Sequence, residues 1–372
     1  MSRSGLGCPP FRADHIGSLL RPARLREAYR KHAEGRLDDG EFRRVQDESI
    51  SQVLRLQQEV GLAVVTDGEF RRGSYWSRFV ELTDGINVRE ARFRFRDEHG
   101  HEQSFTAPHV VSTPHRRRPI CLDEFAFLHD TAAATPKITM PSPSTMHFWR
   151  GREFAEPGVY ADSASFFSDL ATIYRAEIAD LGRAGCRYVQ LDEVALAMLC
   201  DPEARERVKA DRLDPDDLVD LYIEAINSAI ADHPADMVIG VHMCRGNFKG
   251  RYLAEGGYES VAEKLFQRAR AGHFLLEFDT PRAGDFAPLR FVPADKGVVL
   301  GLVSSKVAQL EPLDLLRRRI DEASRYINLD RLAVSPQCGF ASTVAGNPVT
   351  EEVERAKLAR VVEAARTVWG TA

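Results

Sequence analysis

The 372-residue chain has no apolar run near the roughly 18 to 20 residues that a membrane-crossing helix needs. Its N-terminus also lacks the charged, apolar and cleavage-site regions of a secretory leader, so a cytoplasmic protein without membrane association is expected. There is no basic excess. A formal net charge of −5 and a pI near 6.2 leave no electrostatic footprint for nucleic acid or an anionic surface, and the run Arg116-Arg117-Arg118 is too short to supply one. Cysteine is sparse: Cys8, Cys121, Cys186, Cys200, Cys244 and Cys338 show no tight disulfide spacing, which points to reduced thiols, some of them metal ligands. Low-complexity tracts, linkers and repeats longer than a strand-helix unit are absent as well, so residues 1–372 read as a single catalytic domain.

What is present is an ordinary globular composition, 44% hydrophobic and 28% charged, able to bury a sizeable core. Short apolar runs recur at residues 13–18, 62–66, 137–140, 188–191, 237–241, 274–278, 298–303 and 332–335. Patterns of helical period lie at 22–60, 163–184, 215–232, 260–271, 312–327 and 351–368. Eight strands alternating with helices predict an α/β protein, specifically a closed (β/α)8 TIM barrel. One stretch departs from the repeat. Residues 89–134, rich in Arg, His and Pro, alternate in Ala91-Arg92-Phe93-Arg94-Phe95-Arg96 and carry a turn-like Glu98-His99-Gly100. This predicts a hairpin-bearing insertion between strands 2 and 3, read as a plain surface insertion, a cover for the barrel mouth or a subunit contact in a homo-oligomer.

The polar residues fall where such a fold places its chemistry. Ser18, Glu69, Asp192, His242, Cys244, Glu277 and Cys338 all lie at or just beyond the C-terminal ends of predicted strands. Any one of them could be a loop cap, and Glu69 could simply pair with Arg71 or Arg72; seven together suggest an assembled site. His242 and Cys244 occupy alternate positions after residues 237–241, so a continuing strand would point both side chains the same way. His242, Cys244, Glu277 and Cys338 are therefore candidate ligands of a Zn2+ ion. Zinc held by two thiolates, an imidazole and a carboxylate is electron-rich, a poor activator of carbonyls but suited to keeping a substrate thiol as a nucleophilic thiolate. Alkyl transfer to sulfur follows as the expected chemistry.

The segments His242-Met243-Cys244, Leu276-Glu277 and Ser335-Pro336-Gln337-Cys338-Gly339 resemble the zinc-binding segments in the catalytic barrel of cobalamin-independent methionine synthase. Ile16-Gly17-Ser18, Asp67-Gly68-Glu69 and Gln190-Leu191-Asp192-Glu193 resemble that family's amino-acid-binding segments, and the match runs in order from about residue 11 to 369. The resemblance implies a methyltransferase of the 5-methyltetrahydropteroyltriglutamate–homocysteine type, acting in methionine biosynthesis. It implies a thiol substrate, homocysteine, and a separate methyl donor. Glu69 and Asp192 would hold the α-ammonium, Ser18 with nearby backbone N–H groups the α-carboxylate, and Trp149 with the Pro141-Ser142-Pro143-Ser144 loop would lie on the folate side.

Two departures qualify the match. Where the family carries a histidine read as an acid near the methyl donor, this chain has Val303 in Gly301-Leu302-Val303-Ser304-Ser305-Lys306, which leaves Ser304 or Lys306 to serve the donor or implies a donor other than methyltetrahydrofolate. The chain also has room for one barrel, as in the family's short single-barrel relatives, whose donors vary. Arg245 could face an anionic donor or acceptor, or be an ordinary ion-pair partner. Alternative readings are alkyl transfer to another thiol, as in the coenzyme M-type epoxyalkane transferases, and a barrel like uroporphyrinogen decarboxylase with a structural metal.

Overall fold

A computed structural model describes residues 8–96 and 102–372, without the side chains of Phe95 and Arg96. The turn expected at Glu98-His99-Gly100 lies outside the described residues. The strands in chain order are β1 (Val64–Val65), β2 (Thr83–Glu90), β3 (Phe95–Arg96), β4 (Glu102–Gln103), β5 (Thr106–Arg116), β6 (Thr135–Pro136), β7 (Ile138–Pro141), β8 (Tyr188–Glu193), β9 (Val238–Met243), β10 (His273–Glu277), β11 (Gly297–Val303) and β12 (Leu332–Pro336).

Six of them form one parallel sheet in the order β12-β11-β10-β9-β8-β7. Every neighbour pair is consecutive in sequence, with helices such as Ser163–Arg183, Pro215–Ala229, Glu259–Arg268 and Leu313–Ala323 as crossovers. The ladder extends beyond the six strands at both ends. On one side Ala13 bridges Val334 in parallel; on the other β1 pairs in parallel with β6, which leads directly into β7. Among the described residues no pairing joins these two extensions into a closed ring. Residues 13–18 differ from expectation in forming only that single bridge, because Gly17 at φ +123° turns the chain out of extended geometry.

One face of the sheet is apolar and packs against the helices, while the other carries a small apolar patch among buried polar residues such as Thr139, Gln190 and His242. Phe274, Leu276, Val298 and Leu300 belong to the main helix-backed core, whereas the alternating Leu275 and Val299 pack with Ile16 and Ala333 in a small separate cluster. Period-2 alternation thus gives each strand an outer and an inner face.

Several of the helices start where a side-chain acceptor satisfies their free N–H groups. Asp38, Asp162, Asp214 and Thr350 each accept from N–H groups two or three residues on, and Pro215 occupies the first turn after Asp214. The pattern at 22–60 resolves into two helices, Ala23–Ala33 and Asp39–Glu59, broken at Gly35 (φ +68°). Residues 89–134 do not coincide with one element. An antiparallel pair of β2 with β5 begins earlier, at Thr83, β3 pairs with β4 inside it, and a helix, Leu122–Thr131, follows.

Candidate active site

At the C-terminal edge of the parallel sheet lies a cavity of about 600 Å3. Ser18, Glu69, Trp149, Asp192, His242, Cys244 and Cys338 all line it, so seven of the ten residues singled out from sequence converge on one space. Glu277, Ser304 and Lys306 do not line it.

Strand β9 continues through Met243, and the alternation places His242 and Cys244 on one side. Cys338 arrives from the loop after β12, where the Gln337 N–H bonds the Val303 carbonyl. The ligating atoms of His242, Cys244 and Cys338 lie within 4.8 Å of one another, all buried. Cys244 Sγ and Cys338 Sγ are 3.2 Å apart and share a proton: hydrogen bonding from Cys338 draws the Cys244 thiol well below its ordinary pKa, with His242 adding to the effect, while Cys338 is pushed up. Nδ1 of His242 is 3.2 Å from the Leu275 carbonyl, an acceptor only, so Nδ1 carries a hydrogen. The buried Nε2 has no hydrogen-bond partner, and against the cost of burial the Cys244 thiolate and Asp192 hold the imidazole pKa above its ordinary value, so Nε2 offers its lone pair once that proton is displaced.

A thiolate, a second thiol and an orphaned imidazole nitrogen form a set that suits Zn2+. Glu277, the fourth expected ligand, ends β10 behind this cluster and is engaged otherwise. Its Oε2 accepts the Arg245 N–H at 3.2 Å and its Oε1 the Arg282 guanidinium at 3.0 Å, with Lys306 Nζ at 3.8 Å.

Across the cavity, Asp67-Gly68-Glu69 follows β1 in a tight turn. Gly68 sits at φ +69° and Glu69 at φ +60°, a conformation uncommon for a residue with a side chain, held by the Glu69 N–H on Asp67 Oδ1 at 2.8 Å. Glu69 Oε1 accepts from the Thr139 hydroxyl at 2.8 Å and lies 3.7 Å from Arg72, whereas its buried Oε2 has no partner. Asp192 lies within β8 and is not a helix cap; Gln190 Nε2 donates to it at 2.7 Å. Burial, then the facing Glu69, pushes the Asp192 carboxyl up to about 7. Two carboxylates therefore face each other in a pocket with too little positive charge to match them.

Ser18 meets the opposite wall at Gly339, where its carbonyl accepts the Phe340 N–H at 2.8 Å. A Cβ at Gly339 would sit 1.9 Å from Ser18 Oγ, so glycine is required there on space alone.

Several sequence expectations need correcting. Neither Ser304 nor Lys306 lines the cavity; the Ser304 backbone N–H bonds Glu311 at 2.9 Å, and Lys306 Nζ donates to the Gly246 carbonyl at 3.1 Å. Arg245 does not face a ligand: its guanidinium is buried against Tyr258 and the carbonyls of Gly256, Glu277 and Ala283. Trp149 is both core and wall, stacked edge-on to Phe93 and Phe105 while lining the cavity. Sequence reasoning missed Tyr75, Trp76, Glu81, Phe105 and Phe248, which also line the cavity. For Tyr75 and Trp76 a signal existed, two large aromatics in the Gly73-Ser74 loop just beyond a strand-end carboxylate.

These elements define an α/β protein with a parallel sheet and a buried thiol-imidazole cluster in a cavity at its C-terminal edge. A family model described as the catalytic domain of cobalamin-independent synthase matches residues 11–367, and the chain belongs to that family. Among its relatives, the uncharacterized protein YxjH of Bacillus subtilis is 41% identical, covering 97% of this chain and 95% of that protein. A methionine synthase of Pyrococcus abyssi is 26% identical, with 95% and 91% covered. A solved structure from Listeria monocytogenes, assigned as a vitamin-B12-independent methionine synthase, superposes with a TM-score of 0.78 at 33% identity, covering 98% of this chain and 99% of that one. A B12-independent methionine synthase from Shewanella, solved with selenomethionine, gives a TM-score of 0.75 at 21% identity, with 96% and 97% covered, a likeness of fold.

Proposed function

We propose that the chain is a zinc-dependent methyltransferase that methylates homocysteine to give methionine. The observation that carries the reading is the convergence, in one cavity, of the His242, Cys244 and Cys338 donors with the facing carboxylates of Glu69 and Asp192. His242, Cys244 and Cys338 would hold Zn2+, with Glu277 as the fourth ligand once released from Arg282. Bound there, the metal supplies a cation that keeps a thiol ionised near neutral pH, where a free thiol has a pKa of about 8.5.

The residues of the chain do the rest. Glu69 and Asp192 accept hydrogen bonds from the α-ammonium, whose positive charge relieves their mutual repulsion. Ser18 and neighbouring N–H groups take the α-carboxylate. The distance between these groups and the cysteines orients the side chain of the amino acid toward the metal ligands. A sulfonate thiol such as coenzyme M has no ammonium to satisfy both carboxylates, which disfavours that alternative. A structural metal is disfavoured by the cluster's position on a cavity wall.

Also proposed are a single domain over residues 1–372, with residues 89–134 as an insertion, and a closed (β/α)8 barrel. Supporting closure, the Thr66 hydroxyl donates to the Gly17 carbonyl at 2.6 Å and the Leu19 N–H to the Gly68 carbonyl at 3.1 Å, both between the two open ends of the ladder.

Metal analysis after dialysis tests the zinc assignment. Cys244→Ser and Cys338→Ser should each lose the metal and lower activity more than about 100-fold, since even groups that only orient ligands are worth 10- to 100-fold. X-ray absorption should show a sulfur scatterer added when homocysteine binds. Full metal retention in either variant, or no thermal shift with millimolar homocysteine, would sink the reading.

A further inference from the structure

Among the described residues, the wall of the cavity beyond the metal cluster carries charge of one sign. Three carboxylates line it, and with Glu69 and Asp192 given to the α-ammonium in the reading above, Glu81 is the one left to face a donor; among its described lining residues there is no lysine or arginine. The nearby cations stand behind the wall on other duties: Arg72 binds Glu124 at 2.7 Å and Lys306 binds the Gly246 carbonyl. Five aromatic side chains, Tyr75, Trp76, Phe105, Trp149 and Phe248, make up much of the remaining surface. An acidic, aromatic pocket attracts cations, through Coulomb attraction and the negative faces of the rings. It repels a donor of net negative charge, such as one with a glutamyl tail.

A second observation points the same way. Transfer of a methyl group from a neutral amine needs a proton on the departing nitrogen. Among the described lining residues the titratable groups are Glu69, Asp192, His242, Cys244 and Cys338, all engaged by the metal or the amino acid in the reading above, together with Glu81 and Tyr75. Burial holds the Tyr75 phenol above its ordinary range, and Glu81 is exposed to solvent.

We infer that the methyl donor is an organic onium cation, with the methyl group on the positively charged atom, a sulfonium or a quaternary ammonium. The inference rests on the thiol-methylating function proposed above. In the transfer, the electron pair of the homocysteine thiolate forms the new S–CH3 bond. The bond from the methyl carbon to the onium atom breaks, and its electron pair stays on that atom, which leaves as a neutral thioether or tertiary amine. The negative and positive charges cancel and no proton is required.

The test uses the full chain. Two of its three tryptophans, Trp76 and Trp149, line the cavity, so fluorescence reports binding there with no need for metal. Titration with trimethylsulfonium should quench saturably, while neutral dimethyl sulfide should not. Glu81→Gln, at an exposed position, and Trp76→Leu, which keeps an apolar side chain at a half-buried one, should each weaken trimethylsulfonium binding by about three- to tenfold, the range for one ion-pair or cation–aromatic contact. The zinc-loaded protein should form methionine from homocysteine with S-methylmethionine or glycine betaine, which separates the sulfonium source from the ammonium source. No saturable quenching by the cation overturns the inference. So does methionine formation from methyltetrahydrofolate or methylcobalamin with neither onium donor active. Failure of homocysteine to shift the melting temperature would instead remove the parent function, and that is read without any donor present.

Discussion

Gly339 shows how narrow the tolerance of the site is at a single position. It lies next to Cys338, and a Cβ there would come within 1.9 Å of Ser18 Oγ and 3.0 Å of the Ser18 carbonyl. The second contact is with backbone, so rotating the serine side chain cannot relieve it. Gly339→Ala should displace the Ser18 segment, weaken homocysteine binding by about tenfold or more, and cost about 1–3 kcal/mol of stability as an overpacked contact. Isothermal titration and urea denaturation check both, and unchanged homocysteine affinity would show that Ser18 plays no part in binding. That seven of the named residues would share one space was legible beforehand, because strand-end polar residues are few and their types are specific. Glu277 was not fully legible: nothing in Leu276-Glu277 reveals that Arg282 and the Arg245 N–H reach its carboxylate first. Nor does the sequence show that Ser304 and Lys306 lie off the cavity lining. Their partners, Glu311 and the Gly246 carbonyl, come from other segments.

The last helix, Glu351–Trp369, illustrates how an element can carry a pH dependence. Glu354 in its first turn is fully buried and accepts the Leu20 N–H at 2.8 Å, tying the helix to the segment just after Ser18. Burial, only partly offset by that hydrogen bond, pushes its carboxyl up from 4.5 to about 8. The folded chain thus holds the proton more tightly than the unfolded chain. Between about pH 4.5 and 8 unfolding releases a proton, so this group makes stability fall as pH rises; below 4.5 and above 8 its contribution is level. Glu354→Gln keeps an acceptor for Leu20 and removes the charge, so it should raise the melting temperature by several degrees at pH 8.5 and change it little at pH 4.5. Equal shifts at both pH values would contradict the assignment. The helix itself was readable from its 3.6 period, with boundaries within a residue. The short helices Pro202–Ala210 and Leu122–Thr131 were not, being too brief to show a period against their flanking loops.

For the whole molecule, the two ends of the sheet are built for opposite purposes. The C-terminal edge carries the cavity and tolerates orphaned polar atoms, His242 Nε2 and Glu69 Oε2 among them. The N-terminal side is sealed by a network in which every charge is matched. Lys137, just before β7, donates to Asp14 at 2.7 Å, to Gln190 at 3.0 Å and to the His15 carbonyl; Tyr188, at the start of β8, donates to Asp14 at 2.6 Å and meets His273, at the start of β10, at 2.7 Å. Four elements are thereby joined from within by fully buried groups. None of this was evident from sequence, where Lys137 and Asp14 are isolated charges 123 residues apart at the margins of apolar runs. Breaking such a pair on one side strands a buried charge, so Lys137→Met should destabilise the protein by about 3–5 kcal/mol, while Asp14→Asn combined with Lys137→Met should recover much of the loss. Because the network lies at the far end of the strands from the cysteines, the protein that remains folded should keep its metal, whereas homocysteine affinity is coupled to it through Gln190, which also donates to Asp192. A Lys137→Met variant within about 1 kcal/mol of the parent in urea denaturation would mean that the pair is solvated, not sealed. One that folds normally but loses zinc would mean that the two ends of the sheet are energetically coupled, and the division of labour drawn from the geometry would fail.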